Sequence, residues 1–65
     1  MKTLERLWEK GYKFIESTDW GIGILQDFEE VEDIFEETEF NEWLDLDIEI
    51  DHETRTVRLD ITNNE

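Results

Sequence analysis

The chain has 65 residues and no cysteine, and its twenty Asp and Glu against six Lys and Arg give a formal net charge of −14. That length allows one small domain, residues 1–65, which buries only about 60% of the surface its unfolded form exposes, and the composition excludes a disulfide framework or a Cys/His zinc staple. Three Trp, four Phe, one Tyr and fifteen Leu, Ile or Val exclude a disordered acidic tail, because such tails lack the apolar groups that offset chain entropy.

No apolar run follows a basic start, so no signal peptide is expected. The longest apolar runs are two residues, or six with glycines counted, which is too short to span a bilayer. With cysteine absent as well, the expected location is the cytoplasm.

The spacing of Leu4, Leu7, Trp8, Tyr12 and Ile15 predicts an amphipathic helix over 3–16, with Thr3 as its N-cap. Gly11 falls inside it, weakens it by up to about 1 kcal/mol relative to Ala, and suggests a close packing contact. Ser17 to Gly23 reads as a turn or loop, with a short strand over 20–25 as the alternative. A second helix is expected over 24–38, its apolar stripe formed by Ile24, Phe28, Val31 and Phe35 with Ile34 at the edge. Its other face is almost wholly acidic, without a Lys to form i,i+4 ion pairs, so burial of the Phe-rich stripe must hold it. Glu39 to Glu42 read as a connection anchored by Phe40 and Trp43.

The C-terminal third alternates strictly. Leu44 to Asp51 and Thr56 to Thr62 each carry the period of a half-buried strand, and His52 to Arg55 form the turn. Pairing Asp51 with Thr56 sets Ile50 opposite Val57, Ile48 opposite Leu59, Leu46 opposite Ile61, Glu49 opposite Arg58 and Asp47 opposite Asp60. Asn63 to Glu65 are expected to fray. Two strands alone are not stable, so the expected architecture is α+β, two helices packed on one face of a C-terminal antiparallel β-hairpin.

Catalytic groups are few. His52, the only histidine, sits in the predicted turn between acids, and there is one Ser and no Cys; a nucleophile, a base and a cleft are not brought together. An enzyme is not expected, and neither is a cofactor. Asp45-x-Asp47-x-Glu49 resembles the start of a calcium loop, but Ile50 stands where Gly belongs and Thr56 where the closing Glu belongs. No dedicated metal site is expected.

Charge placement carries the functional signal. From Phe14 to Thr54 there is no Lys or Arg, while sixteen acids occur. Self-repulsion on this scale destabilises a compact chain, and solubility needs a net charge of only about 2–8 in magnitude. Asp45, Asp47, Glu49 and Asp51 share one side of a strand, about 6.6–6.8 Å apart, a spacing suited to imitating backbone phosphates. Glu29, Asp33, Glu36 and Glu37 on the second helix supply another acidic surface. Lys and Arg that grip phosphate accept carboxylates through the same charge-assisted bonds.

In size, charge and lack of catalytic groups the whole chain resembles the small acidic inhibitors of phages and mobile elements: DNA-mimicking anti-restriction proteins, anti-CRISPR proteins and uracil-DNA glycosylase inhibitors. The resemblance is compositional and carries no motif, so no residue role is transferred. It implies a non-enzymatic protein that occludes the basic, nucleic-acid-binding surface of a partner, without binding nucleic acid itself. Two other readings share the composition: an antitoxin or immunity-type partner of a basic toxin, and a small regulatory subunit using Trp20 or Trp43 as an interface anchor. Core packing is the default expectation for both tryptophans.

Overall fold

Leu4, Leu7 and Trp8 give the N-terminal segment one apolar face, and helix α1 spans Lys2–Glu9 with Leu4 and Leu7 buried. In this computed structural model, which describes residues 2–63, the helix stops at Gly11. That residue takes φ +88°, and two bonds close the end: Tyr12 N–H donates to the Leu7 carbonyl (3.1 Å) and Gly11 N–H to the Trp8 carbonyl (3.0 Å). This is the Schellman arrangement, with glycine in the left-handed position that other residues resist. The helix expected over 3–16 therefore ends at Glu9 and has eight residues. Thr3 lies within α1 rather than capping it. Gly11 is required for its backbone angle, since nothing lies within 4 Å of where a Cβ would point.

Freed from the helix, Lys13–Thr18 become strand β1, which turns through Asp19 and Trp20 into β2, Gly21–Ile24. The register pairs Ile15 with Ile24 and Thr18 with Gly21. Gly21 has φ +150°, and the Thr18 hydroxyl clasps the turn, accepting from Trp20 N–H (3.2 Å) and donating to the Gly21 carbonyl (3.2 Å). The loop reading of 17–23 gives way to the alternative strand within 20–25.

Helix α2 spans Phe28–Phe40, later than the expected 24–38. Asp27 sets its start: the side chain accepts from Glu30 N–H (3.0 Å), while the Glu30 carboxylate accepts from Gln26 N–H (2.7 Å). The reciprocal use of Asp27 and Glu30 is a variant of the capping box. Ile24 thus belongs to β2, outside the helical stripe. Val31 and Ile34 are buried, with Phe28 and Phe35 packed partly against them.

Strands β3, Leu44–Asp51, and β4, Thr56–Asn63, pair antiparallel in the register that alternation predicts, including Glu49 with Arg58 and Asp47 with Asp60. Asn63 ends β4; the rest of the expected frayed tail lies outside the described residues. The hairpin is half of a four-stranded mixed sheet ordered β2-β1-β4-β3, with β1 parallel to β4. Phe14 of β1 and Val57 and Leu59 of β4 are the sheet's fully buried side chains. They form one cluster with Leu4 and Leu7 of α1 and Val31 and Ile34 of α2, so both helices cover the same face. Trp8 stands edge-on to Phe14 (5.1 Å) and Phe28 (5.9 Å), joining the two helices over the sheet. The core therefore sits over β1 and β4 rather than over the hairpin. Ile48 and Ile50 of β3 remain 41% and 39% exposed.

Two glycines should respond oppositely to alanine. Gly11→Ala forces a side chain into the left-handed region and should lower stability by about 1–2 kcal/mol. Gly23→Ala, on ordinary strand backbone with open space at its Cβ, should leave stability equal or higher. Urea titration of both variants checks this; equal losses at the two sites would contradict it.

Candidate binding surface

The sheet divides the acids into two separate surfaces. Asp45, Asp47, Glu49 and Asp51 alternate with Leu46, Ile48 and Ile50, which face the helices, so the four acids lie on the opposite, open side. Their neighbours on that side of β4 are Thr62, Asp60, Arg58 and Thr56. Glu29, Asp33, Glu36 and Glu37 are exposed on α2, beyond the helical side of the sheet. The two predicted groups do not converge on one site.

The strand row is partly occupied. Arg58 approaches Glu49 (3.9 Å) and Asp60 (3.4 Å), the ion pairs found among the described residues. Asp51 closes the β3–β4 turn: its carboxylate accepts from Glu53 N–H (2.9 Å) and Thr54 N–H (3.2 Å). The backbone donors of Thr54 and Glu53 hold its carboxyl below the usual aspartate range. The turn also places Arg55 at φ +55°, a left-handed position without glycine. His52 is exposed there, as expected, but it has a partner: its Nδ1 lies 2.8 Å from the Tyr12 hydroxyl, with the rings edge-to-face.

The α2 surface is different. Asp33, Glu36, Glu37 and Phe40 follow i, i+3, i+4, i+7 spacing and share one outward stripe. With Asn41, Glu42 and Trp43 they line a shallow groove at the C-terminal end of the helix. A second groove, between α2 and the β1–β2 edge, shares Asp33 and Glu37 and adds Glu16 and Glu30. No Lys or Arg lines either groove. The last turn of α2 carries no basic residue, so the negative end of the helix dipole adds to the carboxylates instead of being offset.

Phe40 and Trp43 are 78% and 66% exposed, and Trp20 at the β1–β2 turn is 90% exposed. The anchoring role expected of Phe40 and Trp43, and the default core placement of Trp20 and Trp43, are both overturned. The spacing held the signal for Phe40: it is one helical turn beyond Glu36 and lies opposite the Phe28, Val31, Phe35 stripe. Ile22 and Ile24 are exposed beside Trp20's turn, on the open side of edge strand β2.

Among the described residues no group of three or more His, Asp or Glu is placed to hold a metal ion. Asp45, Asp47 and Glu49 lie along an extended strand, without the curl a calcium loop requires. Among the described residues no helix is long and apolar enough to cross a membrane. The chain matches no protein-family model, no curated protein and no solved structure.

The turn role of Asp51 has a defined pH dependence. Its carboxyl is depressed in the folded chain, so the stabilisation is complete above the ordinary aspartate value, about pH 3.9, and is lost as pH falls through the lower folded value. Asp51→Asn should melt below the parent at neutral pH, with the gap closing in acid. A gap that widens on acidification would show that Asp51 is not held ionised by the turn.

Proposed function

We propose that this protein is a non-enzymatic acidic binding protein that occludes the basic, nucleic-acid-binding surface of another protein. One observation carries the reading: among the described residues, outward carboxylates line both strand β3 on the open sheet face and helix α2, and ion pairing is confined to Arg58 with Glu49 and Asp60. A domain of this size has little stability to spare for mutual repulsion, so uncompensated charge at this density is a feature kept for a partner. The body is 35 × 20 × 17 Å, a length close to one turn of duplex DNA, about 34–36 Å. Carboxylates along such a body offer Lys and Arg the same charge-assisted bonds that phosphates offer.

The antitoxin-type reading uses the same electrostatics against one dedicated toxin, and no specific contact favours it. The subunit reading gains from the exposure of Trp20 and Trp43, since tryptophan is a frequent interface anchor. Both remain protein-binding functions; they differ in whether nucleic acid competes.

Competition is accordingly the test. Proteins retained by the immobilised chain from the source-cell lysate should be released by duplex DNA or RNA and by rising salt. The chain alone should not bind duplex DNA at physiological salt. Retained proteins that resist nucleic-acid competition, or direct DNA binding by the chain, would overturn the mimic reading.

A further inference from the structure

Phe40 and Trp43 are large aromatics left in water, and their surroundings say what covers them. Asp33, Glu36, Glu37 and Glu42 line the same groove, and α2 ends there without a base in its last turn. Placing acids at that end costs stability, because they oppose the helix dipole and repel one another at i,i+4 spacings such as Asp33 and Glu37. A second copy of this chain is a poor occupant: self-association through the groove would bring like charges together. A neutral apolar segment would leave the carboxylates to be desolvated without partners.

We propose that the Phe40–Trp43 groove is the anchor for an arginine-bearing cationic segment of the partner protein. Arginine fits both parts of the surface. Its guanidinium is flat and stacks on aromatic faces, and its donor fork pairs with a carboxylate while stacked. Lysine offers a point charge with stronger hydration, so it gains less from the ring. The strand row already holds Arg58 against Glu49 and Asp60, and Asp51 is engaged in the turn. The partner thus engages the helix side first, and the sheet side contributes longer-range attraction. This assignment rests on the acidic-binding reading and adds its site and the chemistry of its ligand.

The test uses oligo-arginine and oligo-lysine peptides of equal length, titrated against the full chain at low salt. Oligo-arginine should bind about tenfold more tightly than oligo-lysine, as a desolvated cation–π contact and bidentate pairing imply. Phe40→Ala and Trp43→Ala should each weaken oligo-arginine by about tenfold and leave the melting temperature unchanged, since both rings are exposed. The triple variant Asp45→Asn, Asp47→Asn, Glu49→Gln should weaken it by less than about threefold, as for ordinary surface charges. Glu37→Lys should raise the melting temperature by relieving the helix end while reducing affinity. Equal binding of the two peptides with no effect of the aromatic variants overturns the groove but leaves the acidic-binding reading standing, as does a loss confined to the triple variant. Failure of both peptides to bind overturns both. A concentration-dependent dimer abolished by Trp43→Ala would show that the groove is a self-interface and overturn the arginine assignment.

Discussion

Phe14 of β1 packed beside Val57 of β4 is the contact on which the rest of the molecule depends. Those strands run parallel at the centre of the sheet, and a parallel pair needs a long connection, here the chain through β2, α2 and β3. Once it forms, it offers a continuous apolar strip for Leu4, Leu7, Val31 and Ile34. Trp8 then bridges Phe14 and Phe28, tying the N-terminal helix to the second one. The hairpin that dominates the sequence pattern is the outer half of this sheet, with its own apolar row only half covered.

Concentrating burial on the two central strands has a consequence for charge. Among the described residues no carboxylate is fully buried, because the core is built from residues on one face of the sheet and one stripe of each helix. The cost is repulsion, and it is distributed unevenly. On the open face Arg58 moderates Glu49 and Asp60, and Asp51 is bound into the turn. At the C-terminal end of α2 nothing basic offsets the acids, and two aromatic rings stand among them. Folding energetics give no reason for that arrangement, whereas the proposed recognition of a cationic partner would.

The elements with strict period-two alternation were legible from the residues alone, down to the cross-strand partners. Leu46, Ile48 and Ile50 against Ile61, Leu59 and Val57 admit one parity, because a one-residue slip would turn an apolar row to water. Helix limits were less legible. Tyr12 and Ile15 fall at helical spacing from Leu4 and Trp8, yet Gly11 ends the helix through a backbone angle that apolar spacing does not report. Asp27 with Glu30 carried a local start signal for α2, and the apolar Ile24 and Leu25 ahead of it obscured that signal by extending the same periodicity.

Composition and spacing by themselves determined that the chain folds as α+β, that its charge is a surface property, and that the hairpin has one register. These follow from short-range rules, in which side-chain period and charge are properties of neighbouring residues. Tertiary structure decided three other matters: that β1 and β2 complete a mixed sheet, that the strand acids and helix acids face apart, and that Trp20 and Trp43 stay in water. Each depends on which residues distant in sequence share the central strip of Phe14, Val57 and Leu59, a contact that spacing along the chain does not report.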